Sequence, residues 1–174
     1  MKIPIRLNLR INPKTLKFIA LFAILISIFY LLSVLFESFI PLFNMHSTAQ
    51  ALWFILDSVG VHSTLEGTVL SFDAVSIQIV RQCTGVFEVM ALAAIMLAYP
   101  ASKWNKLAGI VFAVPAIYMI NIARLIVLSL LAISNQPLFD AVHEYFFQIT
   151  FIFLVIFFWL FWIRKVVKSD KDKE

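Results

Sequence analysis

The sequence contains a single cysteine, Cys83, so the chain cannot form an intramolecular disulfide. That residue is either a small buried hydrophobe or a thiol kept for its chemistry. Charge is also scarce, at 14% of residues against about 25% in a typical soluble domain. A chain of 174 residues that is 62% hydrophobic cannot hide its apolar surface in a soluble core. The sequence therefore excludes an ordinary soluble protein and predicts an integral membrane protein.

A helical span needs roughly 20 mostly apolar residues, and four stretches qualify. They cover residues 18–36, 83–99, 107–133 and 146–163. The first stretch lacks the cleavage site of a signal peptide and its apolar core is too long for one, so we interpret it as a retained anchor. No repeat or low-complexity linker divides the chain, which predicts one membrane-embedded domain over residues 1–174.

The positive charges predict an orientation. Twelve of the 14 Lys and Arg residues lie in residues 1–17, 100–106 and 164–174. In a four-span arrangement these segments share one side, which the positive-inside rule assigns to the cytoplasm. Both termini, including the tail 164–174, are then cytoplasmic in a multi-pass protein of the plasma membrane. Because topology explains the basic balance, no nucleic-acid partner is predicted.

Residues 37–82 then face outward, and they are too many for a simple turn. Residues 42–59 mix polar and apolar side chains as an amphipathic helix at the membrane surface does. Residues 68–80 are rich in β-branched side chains and predict a short β-hairpin, turning at 71–74, that leads to Cys83. This segment is either a cap over the bundle or a lid over a site. The predicted fold class is an all-α membrane protein of about four spans with this helix and hairpin outside.

Three residues from separate segments share one predicted depth. Arg124 lies 17 residues after Leu107, or about 25 Å along a helix that starts at the cytoplasmic face. Since the apolar slab is about 30 Å thick, Arg124 lies in the outer leaflet. Cys83 begins the second span at the outer face, and His143 precedes the fourth. An intramembrane arginine usually has a partner and a function, although one near a helix end can also reach out to the interface.

A thiol, a base and a fixed cation are the parts needed for acyl transfer by a cysteine nucleophile. His143 is the candidate base for the thiol proton. Arg124 is the candidate to stabilise either the thiolate or the oxyanion of a tetrahedral intermediate. Glu144 is a candidate to orient His143. Asn121 lies one helical turn before Arg124 and is either its partner or an interhelical hydrogen bond.

The order and spacing of three motifs resemble the exosortase/archaeosortase family. These motifs are Cys83-Thr84-Gly85, Asn121-Ile122-Ala123-Arg124 and His143-Glu144-Tyr145. The likeness covers roughly residues 65–163, and the short chain is closer to the compact archaeosortases than to the longer exosortases. The resemblance implies that Cys83 is the nucleophile, with Arg124 and His143 as the other members of the site and Thr84 and Gly85 in support. We predict no cofactor and no metal.

The resemblance also implies a membrane-embedded cysteine peptidase or transpeptidase. Its substrates would be exported proteins with a C-terminal signal made of a short motif, a hydrophobic helix and a basic tail. The enzyme would cut this signal at the outer face and pass the acyl group to an acceptor such as a membrane lipid.

Two other classes of function compete with this interpretation. In a non-catalytic membrane subunit or transporter component, Cys83 would be dispensable and Arg124 would only pair helices. A metal-binding protein is the weaker alternative, because His46, His62 and His143 lack metal-ligand spacing.

Overall fold

The fold is a helical bundle with a small sheet at one end. A computed structural model describes residues 12–35, 44–142 and 147–167. The helices are α1 (Pro13–Leu35), α2 (Met45–Ser58), α3 (Val86–Ala98), α4 (Lys103–Ser134), α5 (Gln136–Ala141) and α6 (Phe147–Trp162). The strands are β1 (Thr64–Glu66), β2 (Val69–Ser71) and β3 (Ser76–Gln78), which form an antiparallel sheet in the order β1-β2-β3. The mostly helical architecture confirms an all-α membrane protein.

Within the described ranges, three helices are long and apolar enough to cross a membrane. They are α1, α4 and the segment Ile149–Val167. This segment consists of most of α6 and the π-helical turn that follows it. α1 buries no residue fully, and the large apolar surface that it leaves exposed requires lipid around it. α3 has 13 residues and is about 20 Å long, which is shorter than the apolar slab. A fourth span at α3 therefore remains a prediction.

α4 is the longest helix and carries the chain from one end of the bundle to the other. It has 32 residues, is about 48 Å long, and continues through Pro115. Ser102 caps its start by accepting a hydrogen bond from Asn105 N at 3.2 Å. It ends at Asn135, whose side chain accepts from Leu138 N at 3.1 Å and so starts α5. One asparagine thereby ends α4 and begins the next helix.

Four helix ends meet at one end of the bundle. Lys106 Nζ donates to Leu97 O at 2.6 Å, joining the start of α4 to the end of α3. Trp162 Nε1 donates to Asn105 O at 2.8 Å, which brings in the end of α6. Near the start of α1, the Phe18 ring packs against Tyr99, which follows α3, and Trp159 of α6. This basic end carries Lys14, Lys17, Lys103, Lys106, Arg164 and Lys165.

At the opposite end, α2 and the sheet pack over the C-terminal half of α4. The buried cluster there comprises Ala49, Leu52, Leu56, Leu70, Ile79, Cys83, Ile122 and Leu125. Arg81 Nη1 donates to Ser33 O at 3.2 Å, close to the end of α1. Cys83 therefore lies at the end of the bundle opposite the basic end.

The elements between residues 44 and 80 largely match their predictions. Residues 42–59 contain α2, which Asn44 caps by accepting from His46 N at 2.8 Å. β2 and β3 form the predicted hairpin, in which Leu70 pairs with Ile77. The strand β1 was not predicted. It pairs with β2 across a tight turn in which Gly67 has a φ of 63°.

Candidate active site

Cys83 ends a single 3-10 turn, Arg81–Cys83, between β3 and α3. Its N–H donates to Val80 O at 2.8 Å. The next residue, the buried Thr84, donates its hydroxyl to Arg81 O at 2.8 Å. These bonds fix the main chain on both sides of the thiol. Cys83 is only 7% exposed.

Gly85 sets the junction between this turn and α3. Its φ is +81°, a left-handed conformation that costs an L-residue about 1–2 kcal/mol. A Cβ at this position would lie 3.3 Å from Asn121 Cγ. Glycine therefore permits both the turn and the close approach of α4. It also explains why α3 begins at Val86 rather than at Cys83, where the apolar run starts.

Asn121 connects the cysteine turn to the intramembrane arginine. Its Nδ2 donates to Cys83 O at 2.7 Å. Its Oδ1 accepts from Arg124 Nη2, also at 2.7 Å. Asn121 is thus both the partner of Arg124 and an interhelical hydrogen bond, the two alternatives that the sequence left open. The Asn121 side chain thus fixes the main chain of Cys83 relative to the guanidinium of Arg124.

A second group holds Arg124 from α3. Glu88 Oε1 lies 3.6 Å from Arg124 Nη1, and the side chains are 4% and 9% exposed respectively. Arg124 therefore points into the protein rather than to the interface.

Sequence reasoning missed Glu88. The available signal was that it is the sole acidic residue in the apolar run 86–99, five residues after Cys83. An arginine inside the membrane requires an anionic partner, and this run supplies one.

A cavity of about 180 Å³ opens beside Cys83. Residues 75–79, which include β3, form one wall, and α4 and α5 form the others. The helices contribute Leu125, Leu128, Ser129, Gln136 and Phe139. The only cysteine of the chain thus lines a cavity that is largely apolar with a few polar groups, the usual make-up of a binding site.

The predicted residues His143 and Glu144 lie outside the described residues. The chain reaches them two residues after α5 ends at Ala141. Five other predicted site residues, namely Cys83, Thr84, Gly85, Asn121 and Arg124, come together as described. In the part of the chain that the structure describes, no three His, Cys, Asp or Glu side chains form a group that would hold a metal ion.

Comparison with known proteins decides the family. A model of the transmembrane exosortases matches residues 12–162, which is most of the chain. The protein belongs to the exosortase family. The match runs from the start of α1 to the end of α6 and includes Cys83, Asn121 and Arg124. Neither the search of curated proteins nor that of solved structures found a match to this exosortase.

Proposed function

We propose that this exosortase is a cysteine peptidase or transpeptidase that cleaves C-terminal sorting signals of exported proteins, with Cys83 as its nucleophile. The observation that carries the proposal is that Cys83 lines a cavity and is joined through Asn121 to the buried Arg124. Members of the family are generally cysteine transpeptidases. Neither a subunit role nor a transporter role calls for a lone thiol in this position.

The site acts on the outer face of the plasma membrane. Cys83 lies at the end of the bundle opposite the basic end, and the positive-inside rule assigns basic ends to the cytoplasm. An exported substrate held by a C-terminal hydrophobic helix and a basic tail has the same orientation. Its short motif then lies at the level of Cys83.

The reaction has two halves. The thiolate of Cys83 attacks the scissile carbonyl carbon, and the carbonyl π electrons move to oxygen to give a tetrahedral oxyanion. Its collapse breaks the C–N bond and leaves an acyl thioester on Cys83. His143 takes the thiol proton and gives it to the departing amine. A nucleophile on a membrane lipid, or water, then attacks the thioester carbon. The C–S bond breaks, the acyl group passes to the nucleophile, and the nucleophile's proton returns to the Cys83 thiolate.

Arg124 supplies the positive charge for this chemistry. Asn121 and Glu88 hold its guanidinium from two sides, so its orientation is fixed before substrate binds. Preorganised donors stabilise developing charge without having to reorganise during the reaction. Arg124 stabilises either the thiolate or the tetrahedral oxyanion. Glu144, the neighbour of His143, serves to orient it.

The proposal is tested by deleting the gene in the host cell. The C-termini of membrane and secreted proteins are then determined by mass spectrometry. Exported proteins with a motif, a hydrophobic helix and a basic tail are expected to keep these segments. Restoring the chain should return the shortened forms, and the mass of the new C-terminus separates hydrolysis from transfer to a lipid. Identical C-termini with and without the protein would favour the non-catalytic alternative.

Gly85→Ala is expected to lower both stability and cleavage. The left-handed φ costs about 1–2 kcal/mol, equal to roughly 2–8 °C in unfolding temperature. The new Cβ also presses on Asn121 and disturbs its bond to Cys83. The measurements are thermal unfolding in detergent and the rate of precursor cleavage.

Gly60→Ala is the matched control for this change. Gly60 has a similar φ of +84°, but a Cβ there meets no atom of the described residues within 4 Å. It should lose comparable stability and keep its cleavage rate. Equal cleavage by the two variants would show that the contact between Gly85 and Asn121 does not matter to the site.

A further inference from the structure

β3 has an open edge on the side away from β2. Ile79 N donates to Thr68 O at 2.8 Å, and Val75 O accepts from Phe72 N at 2.8 Å. The main-chain groups of residues 75 and 79, and of Ile77 between them, therefore face β2. Because these groups alternate in direction along a strand, the N–H and C=O of residues 76 and 78 point the other way. Within residues 44–142 no strand pairs with this edge.

The open edge forms a wall of the cavity that contains Cys83. Five consecutive residues, 75–79, line that cavity. Side chains alternate between the two faces of a strand, so one face would contribute only every second residue. A consecutive run shows that the cavity meets the strand along its main-chain edge. Cys83 follows Ile79 by one short turn and lines the same space.

The sequence of β3 leaves this edge available for pairing. Exposed edges are usually blocked by proline, by charged side chains or by a bulge, because an unprotected edge recruits other strands. Residues 75–80, Val-Ser-Ile-Gln-Ile-Val, contain neither proline nor charge. Ser76 and Gln78 are exposed, and no described element covers them.

We propose that the substrate segment next to the scissile bond binds as a fourth strand on the open edge of β3. Its main chain exchanges hydrogen bonds with residues 76 and 78, whose spacing of about 7 Å matches the two-residue repeat of an extended peptide. Pairing there leads the peptide toward Cys83. This inference rests on the proposed function, since it assumes a polypeptide substrate for that thiol.

Strand pairing also determines which substrate sequences the site selects. The main-chain bonds accept most sequences, whereas alternate substrate side chains point into the cavity. Leu125, Leu128 and Phe139 make that side of the cavity apolar. The site therefore selects apolar residues at every second position of the signal.

The first test compares Gln78→Pro with Gln78→Ala. Proline removes the outward N–H without touching the bonds to β2, and edge strands accept proline at such positions. Alanine keeps every main-chain group. With a synthetic peptide that copies the junction found by mass spectrometry in cells, the proline variant is expected to show about ten-fold lower kcat/KM than the alanine variant. Equal values overturn strand pairing, provided that both variants unfold at the same temperature and react alike with a small maleimide at Cys83.

The second test places the change in the substrate and so does not depend on how the proline variant folds. The same peptide is methylated at one amide nitrogen at a time. Strand pairing predicts that cleavage falls about ten-fold at alternate amides and is kept at those between them. A uniform or non-alternating pattern overturns the inference. Cleavage of the unmodified peptide by Cys83→Ala would instead overturn the proposed function.

Discussion

Cys83→Ala is expected to reduce cleavage of the cognate precursor by at least about 10³-fold, because it removes the only thiol of the chain. Cys83→Ser should fail almost as completely, since a hydroxyl is a far weaker nucleophile without a base matched to it. The measurement is the fraction of precursor processed in cells that carry each variant at equal protein levels.

The alternative role of Cys83 as a core residue predicts a different result. Cys83 belongs to the buried cluster that includes Leu125. If packing were its whole role, alanine would lower the unfolding temperature slightly and leave processing intact. A folded Cys83→Ala protein that processes its substrate normally would refute the nucleophile assignment.

Arg124→Lys is expected to lower cleavage by at least about 100-fold while keeping the positive charge. The guanidinium donates to Asn121 and lies beside Glu88, and a lysine ammonium cannot present the same planar fork to two partners and a substrate. Arg164→Lys, at the basic end, is the matched control and should behave as the parent protein does. Substantial turnover by Arg124→Lys would mean that only the charge is needed.

Glu88→Gln separates catalysis from helix pairing. It removes the anion that pairs with Arg124 but keeps the size of the side chain. If Arg124 only joins α4 to α3, Glu88→Gln and Arg124→Lys should each reduce the unfolding temperature and the cleavage rate in parallel. If Arg124 acts on the reacting groups, Arg124→Lys should lose more cleavage than Glu88→Gln at equal stability. Breaking a buried ion pair from one side can cost about 3–5 kcal/mol, so stability must be measured for each.

The sequence predicted the long helices and the basic end of the bundle, because the membrane strongly constrains where apolar and basic residues can lie. Long apolar runs located α1, α4 and α6, and basic residues marked the end of the bundle where the helix ends meet. Helical rise alone placed Arg124 near the depth of Cys83. The observed bridge through Asn121 agrees with that estimate.

The remaining features depend on tertiary contacts that spacing does not specify. Glu88 was missed because periodicity does not say which helix supplies the partner of an intramembrane arginine. β1 is three residues long, too short to show alternation. α3 begins at Val86, three residues after the apolar run starts, because the left-handed turn at Gly85, not hydrophobicity, decides where that helix begins. The cavity arises only when β3, α4 and α5 meet.

The most direct test of the central claim is to look for an acyl thioester on Cys83. The purified protein is mixed with the junction peptide, quenched in acid within the first turnover and analysed by intact-mass and peptide mass spectrometry. We predict a hydroxylamine-sensitive adduct with the mass of the N-terminal part of the substrate. Since the chain has one cysteine, a thioester can form only at Cys83. Cleavage of the peptide by Cys83→Ala at the parent rate, with no thioester on the parent protein, would contradict the account.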